Sequence, residues 1–258
     1  MQISTHQNIL KPSLWKIYFL ESKTETLRML RTPGFSVPTL LFPVMFYTFF
    51  GIIFTMNAAT MPTYLMVTYG VFGVIGPALF SFGVGIAVDR GQGWFDIKEV
   101  SPMPASAYIF ARIVLTFLFS LAIVMLLFFM GAVFADVELL RSQWLLIALI
   151  LLLGSLPFCV IGMTLGLFLK SSSAPATVNL IYLPMGFLSG LWIPITLFPD
   201  VMQLIANFLP PYHLAQIALK VIDMDVGANL WLHIGVLLTY TIVFIILANR
   251  AYNKKDKK

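Results

Sequence analysis

The sequence predicts an all-α integral membrane protein with six transmembrane helices, and three observations support this. First, 59% of its 258 residues are hydrophobic and only 10% are charged, against about 25% charged residues in a typical soluble domain. Second, six uncharged stretches each exceed the roughly 18 residues that predict a membrane-spanning helix. Third, lysine and arginine fall between alternate stretches. A water-soluble globular protein is excluded.

The six predicted spans follow one another through most of the chain, and short loops separate most of them. A cytoplasmic segment, 1–35, precedes the first span, and a basic tail, 249–258, follows the last. The predicted spans cover 36–56, 64–87, 113–134, 144–169, 177–198 and 230–248.

The basic residues predict the orientation of these spans. All of the 16 lysines and arginines except Arg141 and Lys220 fall on one side of the six stretches. Cytoplasmic loops carry the excess of positive charge, so both termini are expected in the cytoplasm. An even number of spans agrees with this, because it places both termini on one side.

The segment Ser13–Arg31 combines charges with Trp15 and several leucines. This composition predicts an amphipathic helix on the cytoplasmic membrane surface. The apolar stripe is interrupted between Glu21 and Thr26, so a solvated lead-in is the alternative.

Between spans five and six lie two apolar pieces, 201–209 and 212–222, each too short to cross a bilayer. We predict a re-entrant helical hairpin on the outer face. Four prolines shape it: Pro194, Pro199, Pro210 and Pro211.

No predicted span carries a charged side chain at its centre. Ion-coupled carriers usually need such a group, so we expect no buried ionisable groups and an external source of energy.

The chain has no phosphate-binding GxxxxGK[ST] motif, no catalytic constellation and a single cysteine. Its three histidines are scattered along the sequence, and His213 and His233 are interpreted as interfacial residues. We therefore expect neither an enzyme nor a bound metal or cofactor.

The loop after span two, 89–104, mixes charges with large aromatic side chains. One interpretation makes Trp94 and Phe95 members of an interfacial aromatic belt, and the other makes the loop a docking site for a cytosolic protein. The loop resembles that of type-2 ATP-binding-cassette (ABC) permeases, in which Ser-Pro follows a glycine–small–apolar–acidic sequence. The corresponding residues are Gly93, Trp94, Phe95, Asp96, Ser101 and Pro102.

Two further segments resemble the same family. Leu183–Pro194 is similar to its fifth span and outer hairpin, and Arg28, Arg31 and Pro33-Gly34 are similar to its entry into span one. The resemblance covers nearly the whole chain. It implies a bacterial inner-membrane permease subunit of an ATP-driven exporter, paired with a second copy or a close paralogue. ATP and Mg²⁺ would bind a separate cytosolic ATPase, and membrane lipid but no nucleic acid is an expected partner.

The resemblance also implies how ATP would act. Closure of two ATPase subunits would push on the loop 94–102 and on the surface helix near Arg28, opening a central seam. We expect the ATPase to contact Phe95, Asp96 and Glu99, with Arg90 and Arg31 supporting them.

Spans one, two and five would line the seam by resemblance. The candidate substrate contacts are Tyr47, Phe50, Asn179, Tyr182 and Ser189. The scarcity of charge favours an amphipathic drug-like or lipid-like cargo. The alternatives are a membrane anchor that recruits a cytosolic protein and an ion-coupled secondary carrier. Two GxxxG motifs, 162–166 and 186–190, allow close helix contacts, either within one subunit or across a dimer seam.

Overall fold

The computed structural model describes residues 13–55, 60–94 and 103–253. Across these three ranges all regular structure is helical. Within these ranges, five helices are long and apolar enough to cross a membrane, which fits an integral membrane protein.

The first helix, α1 (Leu14–Leu30), occupies the segment predicted to be a surface helix. It packs on the beginning of α4 (Ala105–Phe134), where the Tyr18 hydroxyl lies 2.7 Å from Ser106 Oγ. The buried side chains of α1 are Ser22 and Glu25, in the predicted interruption of the apolar stripe. Most of its apolar side chains are exposed instead, so α1 directs a polar face into the protein.

Two spanning helices follow α1. Helix α2 (Pro33–Ile53) contains the first predicted span except its last residues and ends in a π-helical turn. Helix α3 (Met61–Gly91) lies at the centre of the bundle, and every residue from Leu65 to Leu79 is buried. The core of the protein is therefore built around α3.

Helix α4 begins eight residues before the predicted third span, which places Arg112 inside the helix. Helix α5 (Arg141–Phe168) contains most of the fourth span. It is interrupted at Ser155, two residues before Pro157, and continues as Leu156–Phe168. Proline lacks the backbone N–H that a helix interior uses, which explains an interruption here.

The fifth predicted span, 177–198, is not helical along its whole length, because the helix ends at Leu188. Helix α6 (Ala174–Leu188) has 15 residues, which is about 22 Å of helix against a hydrocarbon core of about 30 Å. Gly190, at φ +73°, turns the chain away because a left-handed backbone favours glycine. A 3₁₀ turn, Ile195–Leu197, follows.

Two short helices lie between the 3₁₀ turn and the last span. Helix α7 (Asp200–Ala206) starts after Pro199, and helix α8 (Pro210–Leu219) starts with the two adjacent prolines. Proline suits the first positions of a helix because the N–H there has no intrahelical partner. Helix α8 packs against α3, α5 and the last helix, α9 (Leu230–Asn253).

The first GxxxG motif packs within the subunit. A Cβ atom on Gly162 would lie 3.0 Å from the Ala78 carbonyl oxygen, and one on Gly166 would lie 2.7 Å from that of Phe82. These glycines therefore let the second half of α5 approach the backbone of α3 closely.

Candidate functional site

A cluster of ionisable side chains joins three helices where α3 ends and α4 begins. We call the five residues listed here the ion-pair cluster. They are Glu25 and Arg28 of α1, Asp89 of α3, and Tyr108 and Arg112 of α4.

Asp89 is the centre of the ion-pair cluster. Its Oδ1 accepts a hydrogen bond from Arg28 Nη1 at 3.1 Å. Its Oδ2 accepts hydrogen bonds from Arg112 Nη2 at 2.6 Å and from the Tyr108 hydroxyl at 2.8 Å. One carboxylate therefore ties α3 to both α1 and α4.

Arg112 is the most deeply buried member, with no exposed surface. Its Nη2 also lies 3.3 Å from Glu25 Oε1, and its Nη1 donates to the Ser81 carbonyl oxygen. The guanidinium lies over the Tyr108 ring, 4.7 Å from the ring centre. Gly85 makes room for it, since a Cβ at that position would overlap Arg112 Nη1.

The ion-pair cluster balances two carboxylates against two guanidinium groups. Glu25 is 6% exposed and Asp89 is 2% exposed, so separating them from their partners would leave buried charge uncompensated. Removing one partner of a buried pair is costly even where the intact pair adds little stability. The cluster therefore couples the position of α1 to the junction of α3 and α4.

The expectation that the chain lacks buried ionisable groups is wrong. Asp89 and Arg112 border the predicted second and third spans, so the sequence predicts that they are solvated charges in the loop. Periodicity alone does not show that the helices extend to include them. One feature of the sequence did indicate a buried charge: Glu25 interrupts the apolar stripe of α1. It lies on the face that packs inward.

The structure describes residues 89–94, the beginning of the loop 89–104 that is a candidate docking site for a cytosolic protein. Arg90 Nη1 donates to the Gly166 carbonyl oxygen at 2.9 Å and to that of Leu167, which ties the end of α3 to the end of α5. Gly93 has φ +73°. Trp94 is 45% exposed, and its Nε1 donates to Gln92 Oε1 at 3.1 Å. Phe95, Asp96, Glu99, Ser101 and Pro102 lie outside the described residues.

The two arginines assigned to the surface helix differ in their surroundings. Arg28 belongs to the ion-pair cluster and also lies 3.0 Å from Glu25 Oε1. Arg31 follows the last residue of α1 and is exposed. Arg28 thus has a defined structural partner in α3, and Arg31 lies open to a cytosolic protein or to lipid headgroups.

The predicted substrate contacts divide into two groups. Tyr47, Tyr182 and Ser189 are buried within the subunit, whereas Phe50 and Asn179 are exposed. The Tyr182 hydroxyl donates to the Phe72 carbonyl oxygen at 2.9 Å, and Tyr47 packs beside Gly131. Of the five, Phe50 and Asn179 are therefore the residues that a molecule outside the subunit could contact directly.

The segments corresponding to predicted spans one, two and five meet in an aromatic cluster. Phe46 of α2 stacks on Trp192 with ring centres 5.2 Å apart, and Phe72 of α3 stacks on Tyr182 of α6 at 4.5 Å. Phe50 extends the cluster outward, 6.1 Å from Phe46. A continuous aromatic path thus leads from the buried core to the exposed face of α2.

The four hairpin prolines occupy helix starts or caps. Pro194 precedes the 3₁₀ turn, Pro199 precedes α7, and Pro210 and Pro211 open α8. They shape the backbone of this segment. Two of the histidines that are scattered along the sequence meet in the fold, because α8 brings His213 against His233 of α9, with a distance of 2.8 Å between their Nδ1 atoms.

Comparison with known proteins agrees with this architecture. The ABC-2 type transporter family matches residues 18–222, a range that includes the ion-pair cluster and the aromatic cluster. A putative transport permease, YvfS, from Bacillus subtilis (strain 168) is 29% identical over 240 residues, which is 92% of this chain and 97% of the relative. The chain belongs to the ABC-2 type transporter family and is a membrane transport permease subunit, not itself catalytic.

Proposed function

We propose that this chain is a membrane-spanning permease subunit of an ATP-driven exporter that moves an amphipathic drug-like or lipid-like substrate out of the cytoplasm. It would work in the bacterial inner membrane with both termini in the cytoplasm and with a second permease copy or a close paralogue. A separate cytosolic ABC ATPase would bind ATP and Mg²⁺, and this chain would bind no cofactor of its own.

The observation that carries this proposal is the ion-pair cluster, whose members Asp89 and Tyr108 flank the loop 95–102 in the sequence. A displacement of α1 would reach Asp89 through its ion pair with Arg28 at 3.1 Å, and Asp89 is paired in turn with Arg112 at 2.6 Å. Arg90 transmits the same displacement to the end of α5 through the Gly166 carbonyl. The cytosolic edge is therefore built to move as a unit, which is what a permease driven from outside the membrane needs.

The sixth crossing and the orientation belong to this proposal. Helix α6 alone is too short to span, and we propose that the turn after Gly190 and the 3₁₀ turn complete the passage. The basic residues on either side of the spans support cytoplasmic termini. Thiol labelling of single cysteines placed at Trp94 and Lys255 tests the topology. Both should react from the same side, and labelling from opposite sides would overturn it.

The function is tested by reconstituting the chain with its ATPase in vesicles that contain no ion gradient. We expect cargo movement that requires ATP, and loss of ATP-dependent transport and of ATPase co-purification in the double variant Phe95→Ala, Asp96→Ala. The matched control is Arg141→Ala, a charge on the opposite side of the predicted spans. Transport by the chain alone under a proton gradient would favour the secondary carrier, and ATPase binding without transport would favour the anchor.

The aromatic path predicts which cargo the exporter selects. Phe50→Ala is expected to reduce transport of cargo with aromatic rings severalfold relative to purely aliphatic cargo, because a stacked aromatic pair contributes about 0.5–1.5 kcal/mol. Phe49→Ala is the matched control, since Phe49 is 46% exposed and Phe50 is 43% exposed. Competition between cargoes in the same vesicles measures the effect. Equal losses in the two variants would show that Phe50 only faces lipid.

A further inference from the structure

A buried pair of histidines joins the hairpin to the last helix. His213 of α8 and His233 of α9 are each 1% exposed, and their Nδ1 atoms lie 2.8 Å apart. His213 Nε2 lies 2.9 Å from the Asn207 carbonyl oxygen. Tyr212 packs against both imidazoles, with ring centres 5.3 and 6.0 Å away.

The hydrogen bonds fix the positions of the protons. The Asn207 carbonyl can only accept, so His213 Nε2 carries a proton and donates it. Neutral His213 then has a bare Nδ1, which must accept the hydrogen bond from His233 Nδ1–H. Neutral His233 is consequently left with a bare Nε2.

That nitrogen is the unusual feature of the pair. His233 Nε2 is buried and has no hydrogen-bond partner among the described residues. A buried acceptor without a donor carries a desolvation cost. It is therefore the position at which the pair would take up its first additional proton.

The surroundings determine what protonation does. Outside the pair, the charged groups that act on His233 are Lys220 and Asp225, both in the segment after α8. These two largely neutralise each other, because Lys220 Nζ lies 2.9 Å from Asp225 Oδ2. Burial lowers the pKa of His213 below its ordinary value, and the hydrogen bond with the Asn207 carbonyl opposes this only in part.

We propose that His213 and His233 form a proton-binding clasp that holds α8 against α9 while both are neutral and opens as the pair becomes protonated. One added proton leaves a single hydrogen between the two Nδ1 atoms and puts one positive charge in a buried site. A second proton places N–H groups on both Nδ1 atoms at 2.8 Å, where they repel each other and the contact breaks.

The direction of the pH effect follows from linkage. The open state gives the imidazoles their ordinary affinity for protons, and the closed state binds protons less tightly. The clasp is therefore at full strength above the ordinary histidine pKa and weakens as the pH falls below it. Each titrating histidine can raise the open population up to about tenfold per pH unit.

The clasp is tested on the full-length protein in nanodiscs with ¹⁵N-labelled histidine. The chain has three histidines, so a His6→Gln background leaves the two signals of interest. At about pH 7.5 we expect one Nε2–H tautomer and one Nδ1–H tautomer. On acidification the two should titrate in coupled steps. Two independent Nε2–H imidazoles with ordinary titrations would overturn the proposal.

Opening is measured by amide hydrogen exchange of α8, corrected for the intrinsic pH dependence of exchange. We expect protection of α8 to fall at least tenfold between about pH 7.5 and about pH 5. It should stay constant over that range in a His213→Gln, His233→Gln variant, whose amides form hydrogen bonds but do not titrate. Loss of protection with the same pH dependence in both proteins would refute the clasp. If the double variant does not fold, the tautomers of the His6→Gln protein decide the question.

Discussion

Replacing Arg112 with methionine should lower the free energy of unfolding by about 3–5 kcal/mol, the usual cost of removing one partner of a buried ion pair. The change leaves Asp89 and Glu25 buried, with Arg28 as the remaining cation of the ion-pair cluster. Arg28 is 41% exposed, so it compensates the two carboxylates poorly. Unfolding by SDS in mixed micelles measures the loss.

Two comparisons separate lost charge balance from lost packing. Arg28→Met removes the exposed partner of the same carboxylates, and exposed pairs contribute about 0–1 kcal/mol. Adding Asp89→Asn and Glu25→Gln to Arg112→Met removes the uncompensated charge and should recover much of the lost stability. If Arg112→Met cost no more than Arg28→Met, the ion-pair cluster would not hold α1, α3 and α4 together.

The ion-pair cluster also shows where reasoning from the sequence reached its limit. Long uncharged runs predict spans because the bilayer excludes unpaired charge. The same criterion ends a predicted helix at its first charge. Helix α4 nevertheless starts at Ala105 and carries Arg112 inside, since a charge can be buried when a neighbouring element supplies its partner. Such a partner can lie 23 or more residues away in the sequence, as Asp89 does from Arg112. A local sequence pattern cannot identify it.

The interrupted stripe of α1 illustrates the same limit from the opposite direction. Amphipathic reasoning assigns apolar residues to the protein or membrane and polar residues to water. In α1, Glu25 turns inward to Arg112, while Trp15 is 84% exposed. The polar face of α1 finds its partners in the ion-pair cluster, so the usual assignment is reversed.

Other parts were accessible because the backbone itself imposes them. Proline marks helix starts, so Pro210-Pro211 predicted the break within the hairpin. The turn at Gly190, which lies inside the predicted fifth span, was not predicted. The length of helix α6 was not accessible, because the apolar residues of 189–198 are as suitable for a turn packed in protein as for a helix in lipid. The His213–His233 contact likewise depends on how α8 folds back on α9.

Gly166→Ala should destabilise the protein by about 1–3 kcal/mol, the usual cost of adding a methylene group to a packed interior. The new Cβ would lie 2.7 Å from the Phe82 carbonyl oxygen, 2.9 Å from that of Gly83 and 2.8 Å from Ile86 Cβ. Two of these atoms belong to the backbone of α3, which cannot rotate away as a flexible side chain can. The helices must therefore separate, and the hydrogen bond from Arg90 to the Gly166 carbonyl should weaken with them.

The chain supplies its own control for this substitution. Gly235 lies in α9 with no atom within 4 Å of the position of an added Cβ, so Gly235→Ala should be neutral or stabilising by up to about 1 kcal/mol through helix propensity. Thermal unfolding of both variants gives the comparison, and light scattering gives their oligomeric state. A Gly166→Ala protein with unchanged protomer stability but less dimer would place this glycine at a subunit seam. A less stable protomer with an unchanged dimer would follow from its contact with α3, and transport should then decline, because Arg90 would no longer hold the end of α3 against α5.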